Sequence, residues 1–286
     1  ISNNNFEEVL LIKSQHNNND TTITDYSSSN KNITVNGNTK HTTDNYYNSI
    51  SSIYFDGNGD YLEISPPLPI SSRGSKDFNL SNNDFTIETN IYLLTHNNWG
   101  SILSHGRTNG NNTSSFVLGF VSTTGQLGFW YTSNGNTNWI EGITSTQLFN
   151  LNTWYNIALC RYEGLFKLYI NGILDNTATI GNTIIYHSNI YTLKIGAIDN
   201  NNGNNVVVTS YLNGYLDNIR IINGKALYTK NFRIPTENYK SLGINFNGIQ
   251  NSNYNDFNNN NFIFNTSNNL IIDNNYKIKK NGNNVI

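Results

Sequence analysis

Residues 54–62 have the sequence YFDGNGDYL, two aromatic-containing segments on either side of a polar, glycine-rich turn. Further along the chain, the phrases FTIE at 85–88, WYNIA at 154–158, LYING at 168–172 and NGYLDNIR at 213–220 follow in that order. Each phrase is typical of a half-buried strand beside a tight polar turn. No catalytic constellation accompanies them. The sequence therefore predicts the architecture of a binding module while leaving its ligand open.

The same pattern extends over most of the chain, since short apolar runs alternate with Asn-Gly, Gly-Asn and Asp-Gly, and proline is confined to apparent loops. Many short strands joined by hairpins are typical of an all-β sandwich or barrel. No long amphipathic helix is evident. The predicted strands are 9–12, 32–35, 51–55, 60–64, 84–94, 100–105, 115–121, 126–132, 154–162, 166–170, 193–198, 206–210 and 215–222.

The composition changes after Tyr239, where an Asn-rich sequence contains short apolar islands at 262–264 and 270–272. Low-complexity Asn tracts are often disordered, but the regular recurrence of the islands favours strands. We therefore expect a principal domain over residues 1–239. Residues 240–286 are expected to be an appended β segment or the start of a further module.

The charge and the lengths of the apolar runs argue against two classes of partner. The chain has 286 residues, a net charge of −2 and only 13% charged residues. It lacks the basic stripe that phosphate binding needs, so nucleic acid is not an expected partner. No apolar run reaches the length of a membrane span, so membrane insertion is not expected either.

Cysteine and methionine usage gives two further expectations. Cys160 is the only cysteine, so no internal disulfide is expected, and its apolar surroundings favour an inert core thiol. Methionine is absent, including at position 1, and the chain is expected to be a processed piece of a longer protein.

The chain contains 59 Asn residues and is also rich in Ser, Thr and Tyr. A neutral polar surface of this kind suits sugars, whose hydroxyls take hydrogen bonds and whose apolar faces lie on aromatic rings. An AT-rich genome would produce the same bias without any selection for chemistry. Composition alone leaves both explanations open.

Taken in order, the phrases resemble the laminin-G-like, concanavalin-A-like jelly roll, especially the form found in phage and other viral structural proteins. The resemblance covers residues 6–239, with diverging middle loops. At the positions where the family's opening strand has His and Asp, this chain has Lys13 and Gln15, so no role transfers there. The matching segments are 10–13, 23–28, 55–62, 85–88, 214–221, 228–232 and 235–236.

The resemblance implies an antiparallel β-sandwich of jelly-roll topology, in a family whose members include adhesins, receptor ligands and structural spacers. We therefore expect a non-catalytic, surface-exposed adhesion or structural module of a virion fibre, tail or capsid decoration that engages glycans. The alternative is a purely structural assembly domain that contacts other virion proteins or copies of itself as a homo-oligomer. The expected location is the virion surface or the extracellular space.

Four aromatic residues near polar loops are the candidate glycan contacts: Trp99, Trp130, Tyr131 and Trp139. Together they could form a stacking platform for a sugar ring. The alternative is that they pack in the core of the sandwich, where large aromatic residues are commonly found.

Asp56, Asn58 and Asp60 alternate as in the start of a calcium-binding loop. A complete EF-hand is excluded, because Tyr61 and Pro67 stand where that loop requires Gly and Glu. Related folds often hold calcium at a loop rim, so a site that combines Asp60 with Asp217 or with the 199–205 loop stays open. The alternative is that these side chains cap turns.

An enzyme is the remotest of the functional alternatives. The five histidines lack the paired spacing of a zinc site, and no Gly-x-Ser-x-Gly motif is present. Jelly-roll glucanases use carboxylates at alternating positions of one strand, whereas Glu141 and Glu163 stand alone. A glycan-active enzyme is therefore not expected.

Overall fold

The computed structural model describes residues 6–65, 76–96, 99–108, 113–121, 124–136, 138–202, 205–235 and 239, and the backbone of three short strands after residue 269. The chain divides into two compact units, Ile1–Ser241 and Leu242–Ile286. Apart from one turn of 3-10 helix at Lys76–Phe78, the regular structure of the described residues is β-strand. None of the helical structure described is long and apolar enough to cross a membrane.

The first unit is a sandwich of two sheets. Sheet 1 has the strand order β13-β12-β11-β6-β17-β4-β3, with β1 also paired to β17. Its strands are β1 Glu7–Ile12, β3 Lys40–Thr42, β4 Ser52–Asp56, β6 Phe85–Leu93, β11 Trp154–Tyr162, β12 Leu165–Ile170, β13 Ile173–Thr179 and β17 Asn213–Asn223.

Sheet 2 has the order β10-β9-β8-β7-β14-β5-β2, and β15 joins it beside β7 and pairs with β16. Described neighbours pair antiparallel except for β15 with β7, which pair parallel. The strands of sheet 2 are β2 Asn32–Asn36, β5 Tyr61–Ser65, β7 Ser101–Thr108, β8 Ser114–Phe120, β9 Gln126–Tyr131, β10 Ile140–Leu148, β14 Leu193–Ile195, β15 Ile198–Asn202 and β16 Asn205–Thr209.

The second unit contains a three-stranded antiparallel sheet of β18 Leu270–Ile272, β19 Ile278–Lys280 and β20 Asn283–Asn284. The predicted strand at 270–272 is present as β18. The predicted strand at 262–264 lies outside the described residues.

The core lies between the two sheets because every second residue of a strand points to the same face. In β4, Ile53 and Phe55 are fully buried while Tyr54 between them is partly exposed. Phe129 of sheet 2 packs against Phe85 and Phe166 of sheet 1, with ring centroids 6.1 Å and 5.4 Å apart. These aromatic contacts join the two layers near the middle of the sandwich.

The turn within residues 54–62 carries the chain from sheet 1 to sheet 2. The carboxylate of Asp60 accepts hydrogen bonds from the backbone N–H of Asn38 and, at 2.9 Å, of Asp56. Gly37 lies against the same carboxylate, and a Cβ there would overlap it. Asp60 therefore joins the β2–β3 turn to the β4–β5 turn, and the missing side chain of Gly37 leaves room for this contact.

Part of the outer face of sheet 1 is covered by the segment that follows β17. Arg220 of β17 is fully buried and donates from Nε to Glu88 Oε1 at 2.6 Å, while the Tyr228 hydroxyl donates to Glu88 Oε2 at 2.8 Å. Burial alone would lower the pKa of Arg220, but the Glu88 carboxylate reverses this effect and raises it. This network anchors the segment after β17 on the sheet.

Cys160 lies beneath the same segment and is fully buried. Burial raises the pKa of its thiol to about 12, so the reactive thiolate is suppressed at neutral pH. The prediction of a core thiol is confirmed.

The predicted all-β antiparallel sandwich is confirmed, and all thirteen predicted strands are present with small shifts at their ends, although the segment 193–198 is interrupted. Gly196 separates it into β14 and the start of β15, because this glycine has a φ of 86° and lies against the ring of Phe55. Five strands were not predicted: β3, β10, β13, β19 and β20. In addition, residues 199–202, predicted to be part of a loop, belong to β15. β10 and β13 are polar strands at the sheet edges. Edge strands bury less of their surface, so their apolar residues alternate only weakly.

Candidate functional site

A groove of about 590 Å³ lies on the outer face of sheet 2. Residues from β7 to β10 and from the β15–β16 hairpin contribute to it, together with residues just before β7 and β10. It is lined by Trp99, Thr108, Val117, Gly119, Phe120, Trp130, Trp139, Glu141, Ile198, Asn200, Thr209 and Ser210.

The centre of the groove is a row of side chains across three neighbouring strands. Val117 of β8 is paired directly with Trp130 of β9, and Trp130 is paired with Glu141 of β10. Directly paired residues have Cβ atoms about 4.5–5.5 Å apart and share one face of the sheet. An apolar side chain, an indole and a carboxylate are therefore placed side by side on the open face.

Trp130 is held flat against the sheet by the absence of a side chain two residues earlier. A Cβ at Gly128 would come within 2.6 Å of Trp130 Cζ2, so the indole lies over this glycine. Gly119, paired with Gly128 on the adjacent strand, also lines the groove. Gly128 therefore makes room for the indole, and Gly119 provides a low floor beside it.

Trp99 packs edge-on against Trp130, with ring centroids 5.3 Å apart and planes at 73°. It is 49% exposed, and its φ of 59° places it in the left-handed region, which is costly for a bulky residue. Such strain is often found at functional sites. Ser210, another lining residue, has a φ of 56°.

The β15–β16 hairpin forms a polar wall of the groove. Ile198, Asn200 and Thr209 face the groove, and the Thr108 hydroxyl donates to Asn200 Oδ1 at 2.8 Å. Between Ile198 and Asn200, Asp199 points away and forms an ion pair with Lys194 at 2.9 Å. The wall therefore offers hydroxyl and amide groups beside the indoles.

The structure brings together three of the four predicted aromatic residues, Trp99, Trp130 and Trp139, in one groove. Tyr131 is different. It follows Trp130 directly and points to the opposite face, where it is 5% exposed and packs on Phe166 in the core. Its inclusion in the platform has to be corrected, because consecutive residues of a strand cannot share a face.

The three predicted metal ligands are engaged in turns and caps. Asp56 Oδ1 accepts from the N–H of Asn58 at 2.7 Å, and Asp60 ties two turns together as described above. The buried Asp217 accepts from the N–H of Tyr47 at 3.0 Å and from the hydroxyl of Ser49 at 2.6 Å. Burial raises the pKa of the Asp217 carboxyl, and these hydrogen bonds oppose the shift.

Across the part of the chain that the structure describes, no three Asp, Glu, His or Cys side chains form a group able to hold a metal ion. Calcium also prefers six to eight oxygen ligands. The arrangement of Asp56, Asp60 and Asp217 therefore gives no support to a calcium site, and their observed contacts are those of turn-capping side chains.

Glycoside hydrolysis needs two carboxyl groups about 5–9.5 Å apart on either side of the scissile bond. Among the described residues that line the groove, Glu141 is the one carboxylate. Its Oε1 accepts a hydrogen bond from the Thr144 hydroxyl at 2.8 Å. The described lining of the groove thus contains one carboxylate and no second one to pair with it.

Sequence reasoning missed the hairpin wall and the contribution of Glu141 to the lining. The hairpin residues are far from the tryptophans in sequence, and no local signal connects them. A signal for the floor was present, because Gly128-x-Trp130 places a small and a large residue on the same face of one strand.

The comparisons with known proteins agree with this architecture. Residues 56–229 match the family described as the concanavalin A-like lectin/glucanases superfamily. A search of curated proteins found no match.

Among solved structures, the binding domain of botulinum neurotoxin DC in complex with rat synaptotagmin II has a TM-score of 0.51 at 18% identity, over 75% of this chain and 48% of that one. The same binding domain in complex with SialylT has a TM-score of 0.51 at 16% identity, over 77% and 48%. This chain therefore spans about half the length of these relatives.

Domain 4 of AbnA, an extracellular arabinanase of family GH43 from Geobacillus stearothermophilus, was solved in complex with arabinotriose. It has a TM-score of 0.51 at 15% identity, over 77% of this chain and 93% of that domain. At these identities the structural likeness shows the fold alone. Together with the family match over most of both sheets, it leads to one conclusion: the chain belongs to the concanavalin A-like lectin/glucanase superfamily.

Proposed function

We propose that this protein is a non-catalytic binding module that recognises glycans in the groove of sheet 2. The observation that carries the proposal is the convergence of Trp99, Trp130 and Trp139 on one open groove with a glycine floor and a hydroxyl- and amide-bearing wall. Indole faces pack on the apolar faces of sugar rings, while hydroxyl and amide groups exchange hydrogen bonds with sugar hydroxyls.

Two kinds of similarity support the proposal. The chain belongs to a superfamily of lectins and glucanases. Two of its structural neighbours were solved with SialylT and with arabinotriose. The single carboxylate among the described lining residues favours binding over hydrolysis.

The test is a glycan-array screen of the whole chain, followed by titration calorimetry with the best ligand for the wild type and Trp130→Ala. Loss of the stacking face is expected to weaken binding about tenfold. Tyr46→Ala is the matched control, because Tyr46 is 48% exposed and lies outside the groove lining. A blank array, or equal affinities for Trp130→Ala and the wild type, would contradict the proposal.

We place this module on the surface of a virion or in the extracellular space, as an adhesion module of a fibre, tail or capsid decoration. This setting is supported by the ordered sequence phrases that resemble viral structural proteins. The test is detection of the chain on purified particles with a specific antibody; its absence from particles would contradict the virion setting.

A second candidate is an assembly domain that contacts other virion proteins or copies of itself. The observation that favours it is the exposure of apolar residues on two edge strands, with Leu148 of β10 at 56% and Ile173 of β13 at 57%. Exposed apolar side chains of this kind favour contact with another chain. Light scattering coupled to size-exclusion chromatography tests self-association, and Ile173→Lys is expected to reduce it.

A further inference from the structure

The groove is nearly free of charge, and the charge it has is negative. Between Trp99 and Asn152 the sequence contains two charged residues other than histidine, Arg107 and Glu141. Of these, Glu141 lines the groove and Arg107 does not. A bound ligand therefore faces one carboxylate without a compensating cation in the described lining.

Strand alternation turns the nearby charges away from the groove. Thr108 faces the groove, whereas Arg107 before it lies over the ring of Tyr191, 5.2 Å from the centroid. On the neighbouring strand, Asp199 is paired in register with Arg107 and binds Lys194 at 2.9 Å. Each of these charges is thus already engaged on the other side of its strand.

Glu141 is well placed to contact a ligand that lies on the indole platform. It is paired directly with Trp130 on the adjacent strand, and it is exposed to solvent. The Thr144 hydroxyl donates to Oε1 at 2.8 Å and orients the group. A carboxylate accepts about four hydrogen bonds, so this single contact leaves capacity for ligand hydroxyls.

Resting on the proposed function, we infer that Glu141 determines specificity and that the groove takes uncharged sugars and rejects acidic ones. A neutral sugar donates its hydroxyls to the carboxylate, in charge-assisted hydrogen bonds about twice as strong as neutral ones. An acidic sugar places a second negative charge beside Glu141. Repulsion between these two like charges is expected to weaken binding of the acidic sugar about tenfold.

The experiment compares neutral oligosaccharides with the same oligosaccharides extended by a sialic or uronic acid, using the whole chain on an array. Dissociation constants of the best matched pair are then measured by calorimetry for the wild type, Glu141→Gln and Glu163→Gln. Glu163 is an exposed carboxylate in the turn between β11 and β12 and does not line the groove, so its variant makes the same change in net charge elsewhere.

The wild type and Glu163→Gln are expected to bind the neutral member about tenfold more tightly than the acidic one. In Glu141→Gln the two constants are expected to lie within about threefold of each other, and neutral binding weakens. Equal or tighter binding of the acidic sugar by the wild type, or full discrimination in Glu141→Gln, would overturn this inference while leaving glycan binding intact. A chain that binds no sugar of either kind would overturn the proposed function itself.

Discussion

His105 provides a sharp test of how burial controls the acid stability of this sandwich. Its side chain is fully buried, and its ring lies against His187, with centroids 5.0 Å apart, and against Phe116, at 5.5 Å. The pKa of His105 is lowered from its ordinary value of 6.5 to about 3. Burial is the main cause, the neighbouring His187 contributes in the same direction, and a backbone hydrogen bond with Tyr191 opposes the shift. The perturbation is His105→Phe, which keeps a planar ring and removes the titrating group.

The magnitude follows from the two pKa values. Between pH 6.5 and pH 3, the unfolded chain binds a proton at His105 and the native chain does not, so the free energy of unfolding falls as the pH falls. The contribution of neutral His105 to stability is therefore fully present above its unfolded pKa of 6.5 and is lost as the pH falls towards 3. At about 1.36 kcal/mol for each pH unit, the wild type is expected to lose about 2 kcal/mol from this residue between pH 7 and pH 5.

The assay is urea denaturation monitored by tryptophan fluorescence at several pH values from 7 to 5. His105→Phe is expected to reduce the loss of unfolding free energy over this range by about 2 kcal/mol. Phe120→Leu is the control, since it loosens the packing of the same core against Phe149, has no ring contact with His105 and should leave the pH dependence unchanged. The reasoning is refuted if His105→Phe shows the same pH dependence as the wild type.

Three further predictions concern single contacts. Gly128→Ala should displace the Trp130 indole, because the new Cβ would lie 2.6 Å from Cζ2. Glycan binding measured by calorimetry should weaken about tenfold, with little change in melting temperature. Unchanged affinity would contradict the described platform. Glu88→Gln leaves the buried Arg220 without its main partner and should cost about 3–5 kcal/mol in urea denaturation, whereas a cost below about 1 kcal/mol would show that the network contributes little. Asp175 of β13 accepts hydrogen bonds from the N–H and the hydroxyl of Thr146 in β10, both at 2.7 Å, and so links the edges of the two sheets. Asp175→Ala should lower the free energy of unfolding by about 1–2 kcal/mol in urea denaturation. If the β10 amides of this variant were as protected from hydrogen exchange as those of the wild type, the link would contribute little.

The strands were predictable wherever one face of a segment is buried. In β4 and β9, apolar and aromatic residues occupy the core-facing positions, and the turns after them carry Asn and Gly, so local sequence indicates both the strand and its end. The same logic failed for β10 and β13, because an edge strand buries less of its surface and its polar residues resemble those of a loop.

The candidate site was only partly predictable. The position of Trp99, Trp130 and Trp139 beside polar loops indicated that they belong to the site. Tyr131 was included wrongly, because successive residues of a strand point to opposite faces of the sheet. The roles of Asp60 and Asp217 could not be derived locally, because their hydrogen-bond partners at Asn38 and Ser49 belong to distant segments.

The sequence by itself determined that this chain forms a β-sandwich, because strand alternation and turn formation depend on residues that are neighbours in the chain. Only the tertiary structure decided where the groove lies, which charges point away from it and which carboxylates act as caps. The physical reason is that these properties arise from pairing between distant strands: Trp99, Glu141 and Asn200 meet in one groove because β7 to β10 and the β15–β16 hairpin assemble into one sheet.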